Sequence, residues 1–161
     1  ESDKRGEEWS VPLTYGDSID EKFSVPENIY FLGLMNTADR SLAMVDYALR
    51  RRFVFIDIEP GFETQQFTEY LVERGAEETF VTTILSKLQA LNRKISDDVA
   101  NLGKGFRIGH SFFSGLTENE KPDSAWYNGI INTEIAPLLE EYWFDSPDTV
   151  NELLEQLLMD D

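Results

Sequence analysis

The chain has 161 residues, 41% hydrophobic and 12% aromatic, so it can bury one good core or two small ones, and its composition is not that of a disordered protein. It has no cysteine, which excludes a disulfide framework and a thiolate zinc site and suits a reducing cytoplasm. The net charge of −17 argues against the chain as a whole binding a nucleic-acid backbone, and no apolar run approaches the roughly 20 residues that span a bilayer.

The acidic excess is greatest beyond residue 111, where Lys121 is the only basic residue. The simplest interpretation is a solvated surface that keeps the protein soluble. A docking face for a basic partner is the alternative, because a surface of one charge sign attracts a partner of the other.

Residues 9–15 alternate between apolar and polar side chains. The period of two predicts a short strand or hairpin arm, and Pro12 fits the edge of a sheet better than its centre. The apolar members are Trp9, Val11, Leu13 and Tyr15.

Residues 28–58 have the pattern of a unit from an open α/β sheet. The run 28–35 is almost continuously apolar, which is typical of a strand covered on both faces. Apolar residues at helical spacing predict a helix from Ser41 or Leu42 to Arg51, and a second β-rich run occupies 53–58. The order strand–loop–helix–strand is the repeating unit of such a sheet.

After Pro60 and Gly61 the pattern becomes helical. Pro137 is expected to kink or restart the third of these helices, because it lacks a backbone donor. The predicted fold is therefore α/β plus α, with an α/β part over residues 1–60 and an all-helical part over 61–161. Helices are predicted over 63–74, 77–98, 124–143 and 146–158. The apolar stripe of the second helix consists of Phe80, Ile84, Leu88, Leu91 and Ile95.

Asn36 stands where the first apolar run ends. Ligands of open α/β sheets lie beyond the carboxyl ends of the strands, so an amide at this position can hold a water or a phosphate oxygen without adding charge. The alternative is that Asn36 only caps the turn between strand and helix. Position alone does not decide between the two.

Three consecutive arginines, Arg50, Arg51 and Arg52, end the predicted helix. Asp46 lies four residues before Arg50 and can pair with it, whereas no carboxylate stands four residues before the other two. Stabilisation of a helix C-terminus accounts for one of the arginines. About 15 Å of helix, at roughly 1.5 Å per residue, separates the block from Asn36. If both groups act on a phosphate, the arginines must therefore act on a neighbouring subunit's nucleotide.

These residues closely resemble the McrB family, the GTP-hydrolysing AAA+ motor subunits of modified-cytosine-dependent restriction systems. The resemblance is most specific around residues 28–62 and covers nearly the whole chain. It rests on VPENIYFLGLMNTADRS from Val25, DYALRRRF from Asp46, GKGFRIGHSFF from Gly103 and IAPLLEEY from Ile135.

The resemblance implies the C-terminal strands of an AAA+ P-loop sheet followed by a helical lid domain. It makes Asn36 the sensor-1 residue, and Arg51 or Arg52 a catalytic finger acting in trans. Asp39 and Arg40 belong to the family signature, and we expect them to bind the nucleotide. The remaining site residue is Arg107, at the position of a lid sensor-2 arginine, although a turn with solvated basic residues explains it and Lys104 equally well. His110 is interpreted as a packing or hydrogen-bonding residue.

The family further implies GTP with Mg²⁺, a hexameric ring, an McrC-like nuclease partner and a DNA-reading domain that precedes the motor. No Gly-x-x-x-x-Gly-Lys-Ser/Thr motif and no apolar strand ending in Asp-Glu occurs in the chain, so both are expected upstream of Glu1. We therefore expect no metal site and no GTP hydrolysis in the chain alone. Dimerisation through an uncovered sheet edge is a further expectation.

Two other functions stay open from the sequence. A non-catalytic interaction module would use the acidic helical part to dock a nuclease partner, and a related AAA+ ATPase would prefer a different nucleotide.

Overall fold

The computed structural model describes residues 4–15, 21–36, 38, 47–117 and 120–160. The chain divides into two units, Glu1–Ile56 and Asp57–Asp161, which are described separately. Within the described residues, no helix is both long enough and apolar enough to cross a membrane.

The first unit contains an antiparallel hairpin of strands β1, Val11–Pro12, and β2, Lys22–Phe23. The pairing continues one residue further, because the Leu13 N–H donates to the Glu21 carbonyl oxygen at 3.0 Å. The hairpin confirms the predicted arm at residues 11–13, whereas Trp9 lies in a 3-10 turn, Glu7–Trp9, and residues 14–15 form a turn. A ribbon of two strands has only edges, which explains why Pro12 is tolerated in it.

The two apolar runs 28–35 and 53–58 are not strands in this structure, so the α/β sheet predicted over residues 1–60 is not shown. Their side chains are exposed; Leu32, for example, is 92% exposed. A strand exists through hydrogen bonds to a neighbour, and an apolar strand also needs layers that cover its faces. The described residues supply neither, so the expected α/β sheet stays a prediction for the complete protein.

Helix α1, Tyr47–Arg50, occupies the last part of the helix predicted from Ser41 or Leu42 to Arg51. The earlier part of that prediction, residues 41–46, lies outside the described residues.

The second unit is helical, and its helices begin and end within two residues of their predicted bounds, although a π-helical segment interrupts the helix predicted over 124–143. Local signals account for this agreement: Thr64 caps the helix that begins at Gln65 and Asp123 caps the one that begins at Ser124, each accepting from a backbone N–H of the first turn. The helices are α2, Gln65–Glu73; α3, Glu78–Asp97; α4, Ser124–Ile130; α5, Ala136–Tyr142; and α6, Pro147–Leu157. Short 3-10 turns cover Gly61–Glu63, Lys104–Phe106 and His110–Phe113.

The helix restarts at Pro137, as expected, and the helix type also changes just before it. A π-helical segment, Ile131–Ile135, joins α4 to α5, and Pro137 lies in the first turn of α5. Proline has no N–H to offer the carbonyl four residues earlier, so the preceding turn widens and the α-helix restarts at the proline.

The core of the second unit is built around the apolar stripe of α3, which meets side chains from the other helices. The predicted stripe is confirmed except at its start, where Val81 is buried and Phe80 only half-buried. Full burial of each large aliphatic side chain stabilises the fold by about 1.5–3 kcal/mol. Trp143 is also buried, and its indole N–H donates to an Asp98 carboxylate oxygen at 3.0 Å.

The buried hydroxyl of Tyr127 leads to a stability prediction. The ring stacks on Phe113 with centroids 5.9 Å apart, and the hydroxyl has no hydrogen-bond partner among the described residues. Burial raises the pKa of this phenol, so it stays neutral. We expect Tyr127→Phe to increase the free energy of unfolding in urea by about 1 kcal/mol, because an unsatisfied polar group leaves the core.

Tyr70 is the matched control for this prediction, since its hydroxyl donates to the Ser114 carbonyl oxygen at 2.6 Å. Tyr70→Phe should lower the free energy of unfolding by about 1 kcal/mol. A loss of similar size in Tyr127→Phe would mean that a buried water satisfies the Tyr127 hydroxyl.

Candidate functional site

Asn36 makes a local turn contact. Its Oδ1 accepts the Ala38 N–H at 3.1 Å, and its side chain is exposed. Its Nδ2 has no partner among the residues that the structure describes, so the amide keeps donors for a ligand. The turn role is therefore present, and the ligand role stays a prediction. Asp39 and Arg40 lie outside the described residues.

The three arginines differ in their surroundings. The Arg50 guanidinium lies 5.6 Å from the centroid of the Phe55 ring, and Arg52 donates from Nη1 to the Ala48 carbonyl oxygen at 2.8 Å. The Arg51 side chain is exposed and contacts no partner in the described part of the chain. The proposed pairing of Arg50 with Asp46 stays a prediction, because Asp46 lies outside that part.

Arg107 lies in the second unit and pairs with Glu59. Its Nη1 forms a salt bridge with the Glu59 carboxylate, and its Nε–H donates to the Lys104 carbonyl oxygen at 2.9 Å. The Arg107 side chain is 22% exposed and that of Glu59 60% exposed. The alternative interpretation of this segment is a turn with solvated basic residues. It does not fit Arg107, because two hydrogen bonds hold its guanidinium.

The hydrogen bond from Arg107 lowers the pKa of Glu59. A carboxyl whose folded-state pKa is lowered adds stability above its unfolded pKa and loses it as the pH falls through the folded value. The contact is therefore complete at neutral pH and is lost only in acid.

The side chain of Asn92, in α3, forms two hydrogen bonds with the backbone next to Arg107. The Asn92 Oδ1 accepts the Ile108 N–H at 2.7 Å, and its Nδ2 donates to the Ile108 carbonyl oxygen at 2.9 Å. Asn92 is the one polar residue among the buried residues of the described chain. Since both bonds act on the residue next to Arg107, they fix the backbone from which the arginine extends.

His110, three residues after Arg107, connects this segment to the turn Gly61–Glu63 by a hydrogen bond. Its Nδ1 accepts the Gly61 N–H at 2.9 Å, and its ring packs edge-on against Phe62 and Phe67. A Cβ at Gly61 would lie 3.1 Å from the imidazole, so a side chain there would require His110 to shift by a few tenths of an ångström. The interpretation of His110 as a packing and hydrogen-bonding residue is confirmed.

Glu59 and Asn92 are the two residues that sequence reasoning missed. Asn92 interrupts the apolar stripe of α3, four residues after Leu88 and three before Ile95, and a lone amide on a buried face signals a specific hydrogen-bond partner. Glu59 carries no such signal, because its partner lies 48 positions later in the chain. Among the described residues, no three His, Asp or Glu side chains are grouped so that they could hold a metal ion.

Comparison with known proteins identifies the helical unit. A family model described as "McrB, alpha-helical lid domain" matches residues 83–151, which hold most of α3 and all of α4 and α5. The whole sequence is 58% identical over 161 residues to the "Type IV methyl-directed restriction enzyme EcoKMcrB subunit" of Escherichia coli K12. The chain belongs to the McrB family. The alignment covers 99% of this chain and 35% of that relative, so the chain spans about a third of the relative's length.

The McrB lid match includes Asn92, Arg107 and His110. The three side chains that fix or form the Arg107 site thus belong to the lid domain of the family. Glu59 lies before the matched residues and contacts one of them, Arg107, through the salt bridge.

Proposed function

We propose that this chain provides the distal part of an AAA+ nucleotide domain and the helical lid of an McrB-like GTPase, a motor that drives DNA translocation and cleavage by a modification-dependent restriction complex. The observation that carries the proposal is the 58% identity over 161 residues, an alignment that covers 99% of this chain. The relative is a subunit of a methyl-directed restriction enzyme, which supports the biological setting.

The exposed apolar runs support the α/β part of this proposal. Leu34 and Val54 are almost fully exposed, as are several of their neighbours. Stable soluble proteins rarely expose contiguous apolar surface on this scale, so these runs need a partner. Neighbouring strands of the complete protein would cover them and turn both runs into buried strands of one sheet.

The roles of the site residues follow from their chemistry. Asn36 would hold a water or a γ-phosphate oxygen of its own subunit's nucleotide, with Asp39 and Arg40 binding beside it. Arg51 or Arg52 would neutralise charge on the nucleotide of the adjacent subunit in a hexameric ring.

The donor set of Arg107 fits a nucleotide phosphate. A planar guanidinium matches phosphate oxygens in shape and charge, and this one keeps unassigned N–H donors among the described residues. Bound Mg²⁺ would neutralise part of the phosphate charge. Its carboxylate ligands are expected in the part of the complete protein that precedes this chain, together with a DNA-reading domain.

The chain alone is expected to show no GTP turnover above background and no tight GTP binding, because it has no phosphate-binding loop. Phosphate release and equilibrium binding should be compared between the chain and the complete protein at equal subunit concentration. Turnover by the chain at the rate of the complete protein would refute the proposed division of the site. Competition by ATP in the complete protein separates a GTPase from a related ATPase.

A non-catalytic docking role is the second candidate, and the acidic C-terminal part favours it. Phe144 is exposed there, and Glu141 and Asp145 are close to it in the sequence. Titration of the chain with an McrC-like nuclease partner, without nucleotide, tests this role. Binding that needs no nucleotide would support it, and mass measurement of the chain alone would show whether it dimerises.

A further inference from the structure

Its contribution to the stability of the fold does not explain the salt bridge between Glu59 and Arg107. Glu59 is mostly exposed, and exposed ion pairs contribute little to folding because water screens them. We propose that Glu59 is a positioning residue, which holds the Arg107 guanidinium so that its remaining N–H donors are directed at a nucleotide phosphate. This inference rests on the proposed function.

The first step in the argument is the geometry of the guanidinium. Arginine has five N–H donors in one plane. The Nε–H donates to the Lys104 carbonyl oxygen and Nη1 to Glu59, and the other donors have no partner in the described part of the chain. Two bonds to fixed acceptors set the orientation of a planar group, so the unused donors face a defined direction.

The second step is that the backbone on both sides of the salt bridge is itself fixed. Asn92 binds both backbone groups of Ile108, the residue that follows Arg107. The Gly61 N–H, two residues after Glu59, is bound by His110. The two partners are therefore attached to neighbouring parts of one unit by hydrogen bonds at 2.7 to 2.9 Å.

The third step weighs two opposite effects of Glu59 on the binding of phosphate by Arg107. A carboxylate beside an arginine weakens the attraction of that arginine for phosphate, but water screens the exposed Glu59 charge. A free arginine side chain loses many rotamers when it binds, whereas one already held in place loses few. Positioning should therefore outweigh competition, and loss of Glu59 should weaken nucleotide binding.

The test measures equilibrium binding of a fluorescent GTP analogue with Mg²⁺ to the complete protein. Arg107→Ala should raise Kd by about tenfold, as expected for loss of a charge-assisted hydrogen bond, and Glu59→Ala by about threefold. Glu59→Gln keeps an acceptor oxygen and should restore Kd to within about twofold of the wild type. Glu63→Ala, which removes an exposed carboxylate four residues later, is the charge control and should change nothing.

A double variant and a titration complete the test. Glu59→Ala in the Arg107→Ala background should have no further effect, because a positioning residue acts only through the residue that it positions. In the chain without nucleotide, the Glu59 carboxyl followed by NMR should return toward its ordinary pKa in Arg107→Ala. Equal thermal midpoints for Glu59→Ala and the wild type would show that the change in Kd does not come from unfolding.

Tighter binding by Glu59→Ala would overturn the inference, because it would mean that the carboxylate competes with phosphate. An additive double variant would also overturn it. If the wild type binds the analogue and Arg107→Ala binds it equally well, this inference fails while the proposed function stands. If the wild-type complete protein does not bind the analogue, the proposed function itself fails.

Discussion

Alanine at the proposed finger position, Arg51 or Arg52, should lower the proposed GTP turnover of the complete protein by about 10³–10⁵-fold without preventing assembly. An arginine supplied in trans neutralises charge that develops on the transferred phosphoryl group, and this interaction is strongest in the transition state. Arg51 is the more accessible of the two, because its side chain is exposed and contacts no described residue, whereas Arg52 donates to Ala48. The measurement is phosphate release at saturating GTP, with assembly checked by mass.

Arg50→Ala is the control within the same block. Its guanidinium lies against Phe55, so its loss removes a local contact and should change turnover by far less. If Arg51→Ala and Arg52→Ala both keep full turnover while assembled, the arginines are structural.

Mixed rings test whether the arginine acts across subunits. The finger variant and an Asn36→Ala variant should each be inactive alone. When their subunits are mixed, some interfaces combine an intact Asn36 with an intact arginine from the neighbour, so part of the turnover should return. Mixed rings as inactive as the two parents would place both residues in the site of one subunit.

Asn92→Ala should lower the free energy of unfolding of the chain by about 3 kcal/mol, because two hydrogen bonds are lost and the buried Ile108 N–H and carbonyl are left without partners. The amide is 8% exposed, so water can replace it only if the structure opens. Urea unfolding followed by far-UV circular dichroism measures the loss.

Two variants separate this effect from a general effect of losing an asparagine. Asn151→Ala, on the exposed face of α6, should change the free energy of unfolding by less than about 0.5 kcal/mol. Asn92→Asp keeps an acceptor for the Ile108 N–H but places a carboxylate against the Ile108 carbonyl oxygen, and it should be about as damaging as alanine. If Asn92→Ala lowers the free energy of unfolding no more than Asn151→Ala does, the two hydrogen bonds from Asn92 to Ile108 are easily replaced.

The helical unit was largely predictable because its signals are local. Apolar spacing along α3, the cap at Asp123 and the break at Pro137 act within a few residues of the structure that they specify. The family resemblance read from short segments was likewise confirmed by comparison over the whole chain.

The runs 28–35 and 53–58 show the limit of such signals. Their composition favours buried strands, but a strand forms only against a neighbour, and the described chain supplies none. Of the residues predicted to bind or act on nucleotide, Asn36 and Arg52 form hydrogen bonds with nearby backbone groups, and Arg107 pairs with a side chain that is distant in the chain. Its partner Glu59 and its anchor Asn92 were not predicted.

By itself, the sequence determined the family, the helices of the lid and the residue types available for phosphate chemistry. Only the tertiary structure decided that Arg107 is paired and oriented, that Asn92 holds the adjoining backbone, and that His110 accepts from Gly61. The physical reason is distance along the chain. These contacts join residues 16 to 49 positions apart, where no periodicity or cap links them and only packing brings them together.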